Sequence, residues 1–247
     1  MSIFRFKKFS VVNERSAMKV NTDGVLLGAA MTLRQDDRRF LDIGTGTGTI
    51  ALMVAQRVSE MTAGSLTLKT VCIDAIDIDE PSASEAEANF KNSPWDGMLV
   101  AHNLPLDGFI ATSPEGYDLI FSNPPYFEDS LTAPDARKST ARHTSEGLSY
   151  RDIFDFAAKH LSSDGRVALV LPAEQEAAVS RYARMCGLHL FRIVRVRTVP
   201  RKTPTRMIVE FSRIRSEEVE DTMLTIQNEG QYTEQYLSIT KEFYLFA

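Results

Sequence analysis

From Phe40 the chain reads Phe-Leu-Asp-Ile and then Gly44-Thr45-Gly46-Thr47-Gly48, a short apolar run ending in three glycines at alternate positions. No other stretch constrains the fold as strongly. The apolar run reads as a buried strand, and Ile50, Met53, Val54 and Val58 follow at helical spacing. Backbone without Cβ atoms can turn sharply between the two and leave main-chain N–H groups at a helix start open to a ligand. The dinucleotide fingerprint wants a glycine at position 49, which is Thr49, and the loop has no Gly-Lys-Ser/Thr of a P-loop. Both of those phosphate-binding loops are excluded.

Strand and helix periods keep alternating. Leu66 to Ile78 predicts a second strand, and Glu80-Pro81 opens a helix with proline in its first turn. Met98 to Ala101 predicts a third strand, and Tyr117 to Phe121 a fourth, closed by Asn123-Pro124-Pro125. Tyr150, Ile153, Phe154, Ala157, Ala158 and Leu161 share a helix face that stops by Gly165. A strand over Arg166 to Leu171 and a helix from about Ala173 to Met185 come next. His189 to Val199 and Arg206 to Ile214 are β-rich and separated by only Pro200-Arg201-Lys202-Thr203-Pro204, too short for a helical crossover, so they are predicted to pair antiparallel. The sum is an α/β fold, a mostly parallel sheet with an antiparallel pair at one edge. Beyond Ser216, Leu224-Thr225-Ile226 looks strand-like, and Tyr232 to Leu237 suits either helix or strand.

With 247 residues the chain is expected to form a single domain, 1–247, with a basic N-terminal extension over about 1–39 and an acidic C-terminal one over about 216–247. The net charge of −5 hides a strong asymmetry: Arg181 to Arg215 holds ten basic residues and one acid, whereas Ser216 onward holds seven acids and one lysine. Lys7 and Lys8 with the first patch, and Arg195, Arg197, Arg201, Lys202 and Arg206 with the second, are candidates for binding a polyanion. No apolar run is long enough to span a membrane, so no membrane association is expected. Cys72 and Cys186 make no disulfide framework, and His102, His160 and His189 have no metal-ligand spacing. A cytoplasmic, metal-free protein with no obligate protein partner is the expectation.

In an open parallel sheet ligands bind beyond the carboxyl ends of the strands, so strand ends carry the chemistry. The second strand ends in Asp77-Ile78-Asp79, where the Asp77 carboxylate is placed to accept from the two hydroxyls of a ribose and Asp79 to cap the next helix. Asn103, ending the third strand, is either a turn residue or a partner for an adenine edge. The fourth ends in Asn123-Pro124-Pro125-Tyr126. Two prolines stiffen the backbone, so the Asn123 amide and the Pro124 carbonyl can act as neighbouring acceptors for both hydrogens of a planar amine, favouring its pyramidal, nucleophilic form. The Tyr126 ring can stack a planar base or amide.

These motifs resemble class I S-adenosylmethionine-dependent methyltransferases that modify planar nitrogens. Further blocks carry the resemblance along the chain: Phe4-Arg5-Phe6-Lys7-Lys8-Phe9, Met18 to Gly28, Ser93-Pro94-Trp95, Ala141-Arg142-His143 and Tyr232-Thr233. Together they are similar to the bacterial tRNA(Val) adenine-37 N6-methyltransferase family. The resemblance implies a Rossmann-like sheet of seven strands with helices on both faces. It implies an enzyme using S-adenosylmethionine on tRNA, with Asp42, Gly44, Thr45, Gly46, Gly48, Asp77 and Asn103 on the cofactor and Asn123, Pro124 and Tyr126 on the target base. Asp77 stands where that family more often has Glu, and Asn103 where Asp is common. Thr22 and Asp23 either cover the methionine end of the cofactor or cap the helix that follows them. A release-factor type glutamine methyltransferase and a noncatalytic RNA-binding module are the alternative functions.

Overall fold

A computed structural model describes residues 2–62, 71–109, 116–126 and 147–246. Its first elements are a hairpin, β1 (Ile3–Arg5) and β2 (Ser10–Val12), and helix α1 (Thr22–Ala30). The glycine loop then joins β3 (Arg39–Ile43) to α2 (Thr49–Thr62). β4 (Cys72–Asp77), α3 (Glu80–Lys91), β5 (Leu99–Asn103) and β6 (Tyr117–Ser122) follow. After α4 (Tyr150–His160) come β7 (Leu161–Pro172), α5 (Glu176–Met185), β8 (His189–Arg197) and β9 (Arg206–Ser212). The chain closes with β10 (Glu220–Thr225), the two-residue strands β11 (Gln227–Asn228) and β12 (Gln231–Tyr232), and α6 (Glu234–Thr240).

The main sheet has the order β10-β8-β9-β7-β6-β3-β4-β5. Eight strands replace the expected seven. β9 runs antiparallel to both β7 and β8, as the short link requires, but the pair is not the sheet edge, because β10 adds outside β8 in parallel. The predicted strand from Leu66 begins at Cys72, with 63–70 outside the described residues, and Ala141-Arg142-His143 also falls outside them.

Side-chain alternation explains why helices cover both faces. Along β7, Ala168 and Val170 face one apolar cluster while Val167, Leu169 and Leu171 face the other. The first cluster is completed by α1, α2, α3 and the hairpin residues Phe6, Phe9 and Val11; the second by α4 and α5. Trp95, half-buried, packs edge-on to Phe9 at the border of the first cluster, ring centroids 5.8 Å apart. α4 begins in a reciprocal capping box between Ser149 and Asp152. Among the described residues no helix is long and apolar enough to cross a membrane, and no cluster of three or more His, Cys, Asp or Glu side chains could hold a metal ion.

Candidate active site

The parallel register brings the carboxyl ends of β3, β4, β5 and β6 to one edge: Ile43 lies beside Ile76, Asp77 beside Asn103, and Ser122 one residue before Asn123. Because β9 is reversed, its first residue, Arg206, pairs with Pro172 at the end of β7 and reaches the same edge. A cleft there is lined by Gly44, Thr45, Gly46, Thr49, the segment Met18 to Asn21, and Asn123. Acceptor motif and glycine loop thus share one cavity.

Gly44, Gly46 and Gly48 all have positive φ, at 70°, 57° and 78°. The glycines differ in what surrounds them. A Cβ on Gly48 would come within 2.4 Å of Phe90 Cε1, so this glycine lets α3 pack against the loop. A Cβ on Gly46 would lie 3.4 Å from Ser16 Oγ and 3.5 Å from the Met18 carbonyl, in the cradle between loop and α1 approach. Asp42 is fully buried beneath the loop and accepts from Thr45 Oγ1 at 2.7 Å. Burial pushes its carboxyl up to about 7, opposed by the Thr45 hydroxyl and reinforced by the charge of Asp77.

Asp77 accepts from Gly46 N–H and Asp79 N–H, both at 2.9 Å, so its carboxylate is anchored to the loop and to the start of α3. Burial raises its pKa against those two bonds. Asp79 is the N-cap of α3. Asn103 donates from Nδ2 to the carbonyls of Asp77 and Ile78, at 3.0 and 3.1 Å, and stands exposed. Beside it Ile78 is 72% exposed, an apolar surface that nothing in the sequence pattern singles out.

Asn123 is buried at 7% exposure, and its Nδ2 faces Met18 Sδ at 3.5 Å and Asn21 Oδ1 at 3.4 Å. Pro124 is buried and Tyr126 half-buried behind it. The cap of α1 is Asn21, not Thr22 or Asp23: its side chain accepts from Gly24 N–H at 2.8 Å. Asn21, Thr22 and Asp23 are three cap-capable residues in a row ahead of the apolar run from Val25, so the sequence signals a cap there without singling out Asn21. Asp23 instead turns to Tyr126 and Arg206. Tyr126 hydroxyl lies 3.1 Å from Asp23 Oδ2, Arg206 Nε donates to that same oxygen at 2.9 Å, and the guanidinium sits 4.7 Å from the Tyr126 ring centroid. Burial, then the charge of Asp23 and its hydrogen bond, hold the Tyr126 phenol well above its usual range.

The basic candidates divide. Arg201 and Lys202 are exposed on the loop between β8 and β9, at the catalytic edge, and neither forms an ion pair among the described residues. Arg195 is already held by Glu176 at 2.6 Å and Asp221 at 2.9 Å, and Arg197 donates to Thr225 Oγ1 and the Pro200 carbonyl. Lys8 pairs with Glu60 at 2.7 Å and Lys7 donates to the Lys241 carbonyl. Glu60 lies eleven residues along α2 from Thr49, which at a rise of about 1.5 Å per residue places Lys8 roughly 16 Å from the glycine loop. The N-terminal lysines are not brought to the cleft.

The family model for the methyltransferase small domain matches residues 16–185. The tRNA1(Val) (adenine(37)-N6)-methyltransferase of Parabacteroides distasonis is 40% identical over 243 residues, covering 98% of this chain and 97% of its own. The protein of that name from Edwardsiella ictaluri is 37% identical, covering 98% and 94%. The chain belongs to this family. Two solved structures share its fold: a predicted O-methyltransferase from Agrobacterium tumefaciens, with TM-score 0.60 at 16% identity over 90% of this chain and 96% of that one, and a methyltransferase from Pyrococcus furiosus, with 0.55 at 21% over 82% and 89%. The small-domain match takes in the whole cleft lining from Met18 to Asn123 and stops short of Arg201, Lys202 and Arg206. In this member of the tRNA adenine-N6 methyltransferase family those three residues therefore come from the β8–β9 loop and the start of β9, beyond the shared small domain.

Proposed function

We propose that the chain transfers a methyl group from S-adenosylmethionine to the exocyclic N6 of an adenine in tRNA, at position 37 of tRNA1(Val) as the names of its relatives state for them. One observation carries this reading: Asn123 lines the same cleft as Gly44, Gly46 and Thr49, so an amine held by Asn123 faces whatever the glycine loop holds.

The residues fit the cofactor. At Gly46 the positive φ of 57° disfavours any side chain and leaves the main chain bare toward the cleft, and the Asp77 carboxylate, having about four lone-pair sites, uses two on main-chain N–H groups and keeps the others for ribose hydroxyls. Ile78 offers an apolar surface to a flat ring, and Gly44, Thr45 and Gly46 line the wall that a methionine moiety would follow. When bound, S-adenosylmethionine supplies an electrophilic methyl group. Asn123 Oδ1 and the Pro124 carbonyl accept the two N6 hydrogens, pulling the nitrogen lone pair out of the ring system and toward the cleft. Tyr126 stacks the base, which must leave its own stack to arrive there. The N–C bond would form as the cofactor's methyl–sulfur bond breaks with its electron pair left on sulfur, and the nitrogen, cationic at that point, would give its proton to water, so no charged general base is required. Arg201 and Lys202 flank the cleft as phosphate contacts.

Asn123→Ala tests the assignment. Methyl transfer to tRNA is expected to vanish while the calorimetric Kd for S-adenosylmethionine changes little. A loss of cofactor binding in step with activity would place Asn123 on the cofactor side and remove it from the acceptor role.

A further inference from the structure

Beside the acceptor site two oxygens compete for one proton. The Tyr126 hydroxyl lies 3.0 Å from Asn123 Oδ1 and 3.1 Å from Asp23 Oδ2, and a phenol has a single hydrogen to donate. The orientation of the Asn123 amide is fixed independently. Asn21 Oδ1 is an acceptor, since it already takes the Gly24 N–H, so the group of Asn123 that faces it must be the amide nitrogen. With Nδ2 turned to Asn21, Oδ1 is turned to Tyr126. That oxygen is the one the target amine needs, and in this arrangement the hydroxyl partly occupies it.

We propose that Asp23, clamped by Arg206, is a positioning residue that draws the Tyr126 hydroxyl off Asn123 and so frees the amide oxygen for the incoming amine. The inference rests on the function proposed above and adds two residues to it. A carboxylate is the stronger acceptor for the phenol, and Arg206 Nε, bonded to the same Oδ2, holds it in place. As an amine hydrogen reaches Asn123 Oδ1, the phenol hydrogen settles on Asp23, and no hydrogen-bonding group is left unmet. Arg206 has a second task. Its guanidinium covers one face of the Tyr126 ring, so a base can stack only on the other.

The test is a suppression. Asp23→Asn replaces the charged acceptor by a neutral one, and kcat for tRNA methylation is expected to fall about tenfold, the difference between hydrogen bonds to charged and neutral groups. The Kd for S-adenosylmethionine should not move. Tyr126→Phe removes the hydroxyl that has to be drawn aside. The double variant Asp23→Asn with Tyr126→Phe is therefore expected to match Tyr126→Phe alone within about twofold, a strong departure from additivity. If Asp23→Asn does not fold, Asp23→Ser, which also removes the charged acceptor and leaves Arg206 in place, is compared with and without Tyr126→Phe in the same way. Additive losses in the pair of variants would overturn the inference and leave the function standing. Absence of any transfer to tRNA adenine by the wild-type protein would overturn both.

Discussion

Arg166 and Arg206 each reach back across more than a hundred residues to an aspartate, one near the amino-terminal side of the sheet and one at its catalytic edge. Arg166 grips Asp37 with two bonds, 3.1 and 2.7 Å, and the side chains are 1% and 4% exposed. Arg206 touches Asp23 through Nε alone at 2.9 Å, and these side chains are 34% and 25% exposed. The chemistry is the same and the setting is not. A buried, forked pair can neither rotate nor exchange partners, and removing one member strands a charge away from water. A half-exposed, single-contact pair keeps spare donors and a partner, Tyr126, that can shift. Fixity at one end of the strands allows adjustment at the other.

Asp37→Ala should break the contrast most severely. It leaves the Arg166 guanidinium buried without its carboxylate, and unfolding free energy in urea is expected to fall by about 3 to 5 kcal/mol, with cofactor affinity of the folded protein unaltered. If Asp37→Ala weakened the fold no more than a surface substitution, the supposed rigidity of that end would be wrong.

Asp42 couples the two behaviours, being buried as the fixed pair is but placed under the catalytic loop. Its carboxyl is raised from 3.8 to about 7, so between those values the folded chain binds more protons than the unfolded one. Stability from this group therefore declines as pH rises from the ordinary carboxyl range to about 7 and is level above it. Asp42→Asn should flatten that slope in melts taken across pH. An identical slope in the variant would assign the dependence to other groups.

A smaller effect, confined to the catalytic edge, is expected of Asp77→Ala. Losing a charge-assisted partner for two hydroxyls costs about 1.5 to 3 kcal/mol, or roughly ten- to a hundredfold in the Kd for S-adenosylmethionine. Calorimetry that found the Kd unmoved would shift the ribose contact to Asp79.

The mildest change is Arg201→Ala with Lys202→Ala, which should leave melting and kcat alone and raise the KM for tRNA. The slope of log affinity against log salt should become shallower by about 0.7 to 0.9 for each phosphate that is no longer neutralised. A slope equal to that of the wild type would make these two residues a solvated surface.

The glycine loop, Asp77 and the Asn123 motif were legible in the sequence because each sits at a strand end whose turn chemistry is local. β10 was not legible as an edge strand. Its opening residues, Glu220-Asp221-Thr222-Met223, are exposed and read as part of an acidic tail; they are seated by the parallel ladder with β8, and Glu220 on Arg192 and Asp221 on Arg195 of that strand add ion pairs. The same pairing is why the basic stretch looked more available to RNA than it is. Arg206 reads in the sequence as one more phosphate contact: the short link foretells the reversal of β9, but the meeting of its first residue with Asp23 at the start of α1 and Tyr126 after β6 depends on long-range packing.

That reversal also bears on how such a molecule could change over time. β8 and β9 are antiparallel neighbours, so the connection between them has no crossover to complete and no helix to carry. Doubling the length of a flexible loop adds only about 0.6 kcal/mol of closure entropy. Insertions after Thr198 can therefore enlarge or recharge the rim of the cleft without moving Asn123, and the choice of RNA can drift while the reaction stays put.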